Sequence, residues 1–336
     1  MNKKWLITGG CGFIGTRLIK SLLDIGGNKI CVVDNLSVGS LDDLASVANY
    51  NNLTSVEAGV DVFDYTDPYN CSFVQGDILD QELAKSLTKN VDVVVHLAAN
   101  TGVGPSVKAP KDDCSTNVPG TFNYLEGTRQ VADCKFVFAS SGAPIGEVES
   151  LPIHEKLPSN PVSPYGASKL AGEGYCSAYF HSFGVQTVAL RFGNVYGPGS
   201  IHKGSVVAKF IKNAFAGEVM EIYGNGQQTR DFIYIDDLVN AIFAAVNCES
   251  ANGEKFQIAT NMESTVSEMV GVLQEVLMEE GLVDTQVQHV ETRTGDVMRN
   301  YSDVSKARDV LGWQPQYDLK TGLQKTVSYF NTKKDS

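Results

Sequence analysis

The sequence predicts an α/β protein, built on a doubly wound parallel sheet with a smaller C-terminal lobe. In the first half of the 336-residue chain, short apolar runs alternate with longer stretches of helical spacing. Such alternation is typical of a parallel sheet with helices on both faces. After about residue 195, glycine and proline become frequent and the helical stretches shorten. We therefore expect residues 1–190 to form the sheet domain, and 191–336 to form mainly the lobe, interleaved with the last elements of the sheet.

Each element is predicted from its local pattern. Strands are expected where apolar residues run together, at Trp5–Ile7, Ile30–Val33, Ser72–Val74, Val91–Val95, Phe136–Phe138 and Thr187–Leu190. Helices are expected where apolar residues recur every three or four positions, at Ile14–Asp24, Leu79–Thr88, Asn117–Val131, from about Tyr165, and at Ser205–Ala216, Ile235–Val246 and Val266–Glu280. The polar stretch 49–71 is expected to be an irregular surface insertion.

Composition and charge exclude several classes of partner. The 43% hydrophobic and 20% charged residues are ordinary for a globular enzyme. The net charge of −12 argues against binding to nucleic acid or an anionic membrane. Seven scattered cysteines with no CxxC pair predict neither a metal site nor a disulfide framework. No signal peptide or membrane span fits the N-terminus, so a cytoplasmic location is expected.

A glycine-rich stretch, TGGCGFIG from Thr8 to Gly15, follows the first predicted strand and opens a helix. Glycines allow a tight turn and the close approach of a pyrophosphate, which then lies at the positive N-terminus of the helix. Asp34 ends the second strand, where an acid accepts hydrogen bonds from ribose hydroxyls and favours NAD over NADP. The alternative is a generic tight turn with an unrelated acid.

A third strand end carries Gly76-Asp77-Ile78. Asp77 either contacts the adenine amino group or serves as a turn residue or helix cap. The predicted cofactor-binding set is Gly9, Gly12, Phe13, Ile14, Gly15, Asp34, Asn35, Asp77, Ile78, Leu97, Ala98, Ala99, Tyr165 and Lys169.

Two serines, Ser140 and Ser141, end the strand that begins at Phe136. Farther along, Tyr165 and Lys169 are four residues apart and share one face of a helix that begins after Pro164. A neighbouring ammonium and the positive nicotinamide ring of NAD both favour the phenolate of a tyrosine. The pattern therefore predicts a tyrosine base kept ionised by Lys169. Incidental spacing of an exposed tyrosine and a solvated lysine is the alternative.

Together these motifs resemble the extended short-chain dehydrogenase/reductase family along the whole chain. They are T-G-G-x-G-F-I-G, H-L-A-A at 96–99, Asn117, the strand-end serine and Y-x-x-x-K. Arg191–Pro198 is similar to the R-x-x-N-x-Y-G-P segment of members that act on nucleotide-activated sugars, and Thr229–Asp237 to their R-D-F/Y segment. Arg293–Asp296 and Ser302–Ala307 are similar to the terminal R-x-G-D and D-x-S-K-A block of the same members.

The resemblance implies a role for each matching residue. Ser141, Tyr165 and Lys169 would be catalytic, with Ser141 placing the 4-hydroxyl of the sugar. The implied substrate-binding residues are Ser141, Asn194, Arg230, Arg293, Asp296 and Asn300. Arg230 and Arg293 would bind the two phosphates or, alternatively, form structural ion pairs with the acids beside them. His96 is expected to be a packed structural residue and Asp237 a helix anchor. A homodimer is expected through the helices near 115–131 and 165–183.

The residues that follow Ser141 bear on the reaction. In the 4,6-dehydratases of the family two acids follow the hydroxyl residue, whereas this sequence has Gly142 and Ala143. The side chains of Gly142 and Ala143 can neither donate nor accept a proton. The expected activity is NAD-dependent 4-epimerisation of a nucleotide hexose, most simply a UDP-hexose. A nucleotide-sugar reductase, an atypical dehydratase and a non-catalytic NAD-binding sensor are the alternatives.

Two departures from the family pattern concern the substrate. Ile145, preceded by Pro144, stands where the family usually has a tyrosine before the glycine that closes the loop. Asn300 occupies the position of a bulky aromatic residue in UDP-galactose epimerases. Its smaller side chain leaves room for an acetamido group, so N-acetylated sugars are among the expected substrates, as are uronic acids.

Overall fold

The computed structural model describes residues 2–53, 62–63, 69–201, 204–282, 285–292 and 297–333. Its centre is an eight-stranded sheet in the order β12-β7-β6-β5-β1-β2-β4-β3, in which every neighbouring pair is parallel. These strands are β1 (Lys4–Thr8), β2 (Lys29–Asp34), β3 (Asn51–Leu53), β4 (Cys71–Gln75), β5 (Val93–His96), β6 (Lys135–Ser141), β7 (Gln186–Phe192) and β12 (Lys255–Ile258). The predicted fold class is confirmed.

Six short strands lie outside this sheet in three pairs. They are β8 (Asn194–Tyr196) with β11 (Phe232–Tyr234), β9 (Met220–Tyr223) with β14 (Val287–Val290), and β10 (Thr229–Arg230) with β13 (Ser264–Thr265). The helices are α1 (Phe13–Ile25), α2 (Leu41–Ala45), α3 (Gln81–Leu87), α4 (Val103–Lys108), α5 (Pro110–Arg129), α6 (Pro164–Phe183), α7 (Val206–Ala216), α8 (Ile235–Asn247), α9 (Val266–Glu279), α10 (Ser305–Leu311) and α11 (Leu319–Lys333).

The side chains of the central strands alternate between two apolar cores. Trp5 and Ile7 of β1 pack in one core with α1 and α8, whereas Leu6 packs in the other with α5 and α6. This alternation follows from the period of two along a strand, and both faces need apolar residues because helices cover both. In the described part of the chain, none of the helices combines the length and apolar character that a membrane span needs.

Two predictions of local structure were incomplete. The stretch 49–71 is not wholly an irregular surface insertion, because Asn51–Leu53 pairs with β4 and Phe63 is 1% exposed. Helix α5 begins seven residues before the predicted start at Asn117. Pro110 in its first turn and the internal Pro119 obscured the helical pattern, although proline is tolerated at a helix start.

The order of the strands creates a crevice at the carboxyl edge of the sheet. The chain runs outward from β1 through β2 to β4, then returns to place β5 on the other side of β1. Loops after β1 and β5 therefore leave the sheet in opposite directions, which is where ligands bind in open α/β sheets. Thr8 and His96, the last residues of β1 and β5, are paired in register at this point.

Candidate active site

A cavity of ≈ 1070 Å³ occupies the crevice and extends toward the C-terminal part of the chain. Most of the predicted site residues line it, namely Gly9, Gly12, Phe13, Ile14, Gly15, Asp34, Asn35, Ile78, Leu97, Ala98, Ala99, Ser141, Tyr165, Asn194 and Arg230. Of the predicted set, Asp77, Lys169 and Asn300 do not line it, and Arg293 and Asp296 lie outside the described residues. The fold thus brings six key residues to the same cavity, namely Gly9, Gly12, Gly15, Asp34, Asn35 and Tyr165.

The glycine-rich stretch from Thr8 to Gly15 leaves no room for side chains at Gly9 and Gly15. Gly9 has φ +68°, and a Cβ there would lie 2.8 Å from the backbone nitrogen of Ala98. A Cβ on Gly15 would lie 2.5 Å from the Cα of Gly10. No side chain caps Gly12 at the start of α1, and the first turn of α1 has no acid. The helix N-terminus therefore presents its amides and positive dipole end to the cavity, which suits a pyrophosphate.

Asp34 holds the glycine loop while facing the cavity. One carboxylate oxygen accepts a hydrogen bond from the Cys11 amide at 3.0 Å, and the other accepts one from the Leu36 amide at 2.8 Å. Burial raises the pKa of Asp34. Each oxygen retains a lone pair for a further donor, such as a ribose hydroxyl. The residues present at this end of the cavity therefore fit a dinucleotide.

Asp77 makes the hydrogen bonds of a turn residue, which is one of its predicted roles, and its contact with adenine stays a prediction. It is exposed, and its two oxygens accept hydrogen bonds from the Leu79 amide at 2.9 Å and the Asn35 side chain at 3.0 Å. The carboxylate thus closes its own turn and holds Asn35, which does line the cavity. The cap of α3 is another residue, Asp80.

A buried hydrogen bond between Thr8 and His96 joins β1 and β5, the two strands that flank the crevice. The Thr8 hydroxyl accepts hydrogen bonds from the Leu97 and Ala98 amides, both at 3.1 Å, and lies 2.9 Å from Nδ1 of His96. Burial lowers the pKa of His96 to about 3, so the ring is neutral near pH 7. It packs against the rings of Tyr124, Phe136 and Phe138. His96 fits the predicted role of a packed structural residue.

The two serines at the end of β6 point to opposite sides of the sheet, as successive residues of a strand must. The Ser140 hydroxyl donates to Glu173 at 2.6 Å, inside the protein. Ser141 is hydrogen bonded to the Tyr165 side chain, and its oxygen also accepts from the Ala143 amide at 3.2 Å. Ser141 is therefore the serine that faces Tyr165 in the cavity.

Behind Ser140 lies an ion pair that sequence reasoning missed. The guanidinium of Arg191 donates to both oxygens of Glu173, at 2.7 and 2.6 Å, and the two side chains are 0% and 4% exposed. Arg191 was noticed only as the first letter of a motif. The ion pair fixes the end of β6 and the middle of α6, which carry Ser141 and the tyrosine–lysine pair.

Helix α6 places Tyr165 and Lys169. Ser163 caps its N-terminus by accepting from the Gly166 amide at 3.1 Å, and Pro164 occupies the first turn. Lys169 is 3% exposed, and its ammonium donates to the Ala139 carbonyl at 2.8 Å. The ammonium lies 5.9 Å from the centre of the Tyr165 ring. Both residues therefore sit beside the end of β6, one turn apart.

In the chain without a cofactor, Tyr165 is held in its neutral form, so the predicted joint action of Lys169 and the nicotinamide ring on the phenolate stays a prediction. Burial raises the pKa of Tyr165 to about 12, and the hydrogen bond from Ser141 opposes this only in part. Burial also lowers the pKa of Lys169 to about 8, against the attraction of Asp113. Further positive charge beside Tyr165 is needed before the phenolate is populated at neutral pH.

The far end of the cavity is formed by the C-terminal part of the chain. Asn194 and Arg230 line it, and Arg230 donates to the backbone carbonyls of Thr229 and Val297, each at 2.7 Å. Asp231 accepts from Thr260, Asn261 and Ser302. Further lining residues were not predicted, because they come from α7, β9, β11 and the loops between elements, and only the tertiary fold brings them to one cavity. They include Thr101, Lys209, Glu221, Tyr223, Gln228 and Phe232.

Asn300 and Asp237 do not line the cavity. The backbone amide of Asn300 contacts the Thr229 hydroxyl at 3.3 Å, and its predicted contact with the sugar stays a prediction. Asp237 lies in the first turn of α8 and accepts from the amides of Gln316 and Tyr317, at 2.9 and 3.1 Å. It thus anchors the chain before α11, in line with the predicted role.

Comparisons with known proteins agree with this geometry. The family model described as GDP-mannose 4,6 dehydratase matches residues 6–326. The UDP-glucose 4-epimerase of Mycolicibacterium smegmatis is 35% identical over 332 residues, which cover 98% of each chain. The match to the family model covers nearly the whole chain.

Two solved structures share the fold along their full length. The UDP-glucose 4-epimerase of Thermotoga maritima, solved with UDP-glucose, superposes with a TM-score of 0.85 at 32% identity, covering 98% of this chain and 99% of that one. The UDP-glucuronic acid 4-epimerase of Bacillus cereus, solved with UDP-glucuronic acid and NAD, gives 0.83 at 27% identity, with coverage of 98% and 99%. The chain belongs to the extended short-chain dehydrogenase/reductase family of nucleotide-sugar epimerases and dehydratases.

Proposed function

We propose that this protein is an NAD-dependent 4-epimerase of a UDP-activated hexose. The observation that carries the proposal is the pairing of Ser141 with Tyr165 at the cavity wall, next to a strand end that has no proton-carrying residue at 142 or 143. The related chains named for UDP-glucose and UDP-glucuronic acid epimerisation support both the reaction and the nucleotide.

NAD fits the end of the cavity formed by the glycine loop and Asp34. Gly9, Gly12 and Gly15 would admit the pyrophosphate, and Asp34 would accept from the ribose hydroxyls. Lys169 does not line the cavity, and its ammonium, which donates to the Ala139 carbonyl, would add positive charge beside Tyr165. NAD held at this end of the cavity would supply reversible hydride transfer at C4 of the sugar, with no external reductant consumed. The positive charge of its nicotinamide ring also favours the ionised form of Tyr165.

The residues of the chain manage the proton and the orientation of the sugar. Ser141 would hydrogen bond the 4-oxygen, and Tyr165 would remove its proton as C4 is oxidised. The 4-keto sugar then turns within the cavity, and Tyr165 returns the proton after the other face has been reduced. Arg230, which lines the far end, would bind the diphosphate.

Gly142 and Ala143 argue against dehydration. Elimination of water across C5 and C6 needs one group to protonate the leaving hydroxyl and another to remove the C5 proton. A Cβ on Gly142 would meet no atom within 4 Å, so a larger residue would fit there. The glycine is thus not required by packing, and its presence leaves the site without the acid that elimination uses.

We expect interconversion of 4-epimers without added reductant. The protein is incubated separately with UDP-glucose, UDP-N-acetylglucosamine and UDP-glucuronic acid, and the products are resolved by chromatography and NMR. A 4-epimer of at least one substrate, with no net NADH formed, is the expected result. A stable 6-deoxy-4-keto sugar would instead establish a dehydratase, and stoichiometric NAD(P)H consumption would establish a reductase.

An aromatic patch on α5 and α6 supports the expected homodimer. Phe122, Tyr175 and Phe183 are 37%, 39% and 56% exposed, and the Phe122 and Tyr175 rings meet edge to face at 5.6 Å. Exposed apolar patches on a soluble protein mark association surfaces. We infer that two copies pack through these helices. A cytoplasmic location stays a prediction.

A charge placed on this patch should separate the dimer. We expect a mass twice 36.3 kDa for the wild-type protein in sedimentation equilibrium, and a monomer for Phe122→Arg. Met278→Arg is the matched control, since Met278 is exposed on α9, away from the patch. A Phe122→Arg protein that stays dimeric would place the interface elsewhere.

A further inference from the structure

Asp113 is a buried acid that the proposed mechanism does not use. It lies in the first turn of α5 and is 3% exposed, whereas its neighbour Asp112 is exposed. Acids in the first turn of a helix are common because they interact well with the helix dipole, but such acids are normally solvated. Burial therefore calls for a compensating partner.

The hydrogen bonds of Asp113 do not compensate its charge. One oxygen accepts from the side-chain amide of Asn117 at 3.1 Å. The same nitrogen also contacts the Asn100 carbonyl at 3.0 Å and the Ser168 hydroxyl at 3.1 Å, so two hydrogens serve three acceptors. The other oxygen of Asp113 is buried and has no hydrogen-bond partner among the described residues. A carboxylate this poorly solvated needs an opposite charge nearby.

Lys169 carries an opposite charge that Asp113 attracts. Its ammonium is buried and donates to the Ala139 carbonyl. Ser168, the residue before it, belongs to the same hydrogen-bond chain, because its hydroxyl contacts Asn117 and donates to the Tyr165 carbonyl. The path from Asp113 through Asn117 to Ser168 therefore ends on the turn of α6 that carries both Tyr165 and Lys169.

Other ionisable groups face Lys169, but they do not balance it. Glu173, on the next turn of α6, is bound at both oxygens by Arg191. Burial raises the pKa of the Cys176 thiol, so it stays neutral. His96 approaches from β5 as a neutral ring. Tyr165 is neutral in the chain alone. Among these described groups, Asp113 is the negative charge that no cation already neutralises.

We propose that Asp113 is the charge partner of Lys169, a positioning residue that keeps the buried ammonium protonated beside Tyr165. The proposal rests on the proposed function for its consequence in catalysis. Its basis is the arrangement of a buried carboxylate with one unpartnered oxygen, a buried ammonium and the amide bridge between their helices.

The direction of the effect follows from the sign of the charge. Burial lowers the pKa of Lys169 to about 8, and Asp113 is the strongest of the groups that oppose this fall. The same negative charge raises the pKa of Tyr165. Removing the charge at 113 should therefore lower both pKa values. The acidic and the alkaline limb of the pH profile of kcat should then both move to lower pH, whichever of the two groups each limb reports.

The test is Asp113→Asn, which keeps the shape and an oxygen that can accept from Asn117. We expect the pKa of Lys169 to fall by about one pH unit. It is measured by NMR on protein labelled with [ε-¹³C]lysine, with the resonance assigned by its loss in Lys169→Met. The pH profile of kcat should move toward acid by a similar amount. Asp112→Asn is the matched control, and both quantities should stay at their wild-type values.

Three results would overturn the proposal. The first is an unchanged pKa of Lys169 in Asp113→Asn, and the second is an equal shift of that pKa in Asp112→Asn. The third is a fall in kcat without a displacement of its pH profile, because a merely structural role would give that result. If Asp113→Asn does not fold, Asp113→Ser carries the same expectation. The NMR titration does not depend on activity, so a failure of the proposed epimerase reaction leaves it interpretable.

Discussion

We expect Tyr165→Phe to lower kcat for 4-epimerisation by a factor of about 10²–10⁴, the usual contribution of a positioned general base. The phenol oxygen contacts Ser141 and faces the cavity, so its loss removes the proton acceptor and leaves the packing of α6 intact. KM should change little, because the diphosphate end of the substrate is bound elsewhere. The measurement is the initial rate of epimer formation from UDP-glucose or the preferred UDP-sugar.

Tyr175→Phe is the matched control for this experiment. Tyr175 lies on the same helix but is 39% exposed on the outer face, away from the cavity. Its variant should retain the wild-type rate. If Tyr165→Phe also retained it, another group would have to carry the proton, and the assignment of the site would be wrong.

The largest effect on stability is expected from Glu173→Gln. The variant leaves Arg191 buried without a counter-charge, and breaking a buried ion pair in this way costs about 3–5 kcal/mol of unfolding free energy. Ser140 also loses its charged acceptor. Urea unfolding followed by circular dichroism measures the change. Glu275→Gln, which removes an exposed pair with Lys320, should cost less than about 1 kcal/mol.

A second substitution separates the ion pair from simple packing. Replacing both residues, as Glu173→Leu with Arg191→Met, removes the buried charges together and should recover most of the lost stability. A double variant as unstable as Glu173→Gln would show that shape, and not the uncompensated charge, determines the cost.

The sequence predicted the parts of the site that repeat a local pattern. The glycine loop and Asp34 were predicted because strand, tight turn and helix follow one another in the chain. Tyr165 and Lys169 were predicted because four residues make about one helical turn. Each pattern lies within a short stretch of the chain, although Asp34 reaches the glycine loop through the pairing of β1 with β2, and Lys169 does not line the cavity.

The missed residues depend on contacts between distant parts of the chain. Glu173 and Arg191 come together only when α6 packs on β7, and neither spacing nor composition indicates it. The predicted helix begins at Asn117, four residues after Asp113, so the sequence pattern does not place that acid on α5. Asp77, predicted either to contact adenine or to serve as a turn residue or cap, hydrogen bonds with Leu79 and Asn35, and each of its oxygens keeps a lone pair for a further donor.

The pairing of β12 with β7 has a consequence for biosynthesis. Strand β7 ends at residue 192, but its outer neighbour begins only at residue 255. During translation, the backbone amides and carbonyls along the edge of β7 that pairs with β12 stay unpaired while about sixty further residues are synthesised. This takes about 3–12 seconds at ordinary elongation rates. An unpaired edge can recruit strands from other nascent chains. The emerging polypeptide therefore passes through a window in which it needs shielding, by a chaperone or by rapid completion of the C-terminal part.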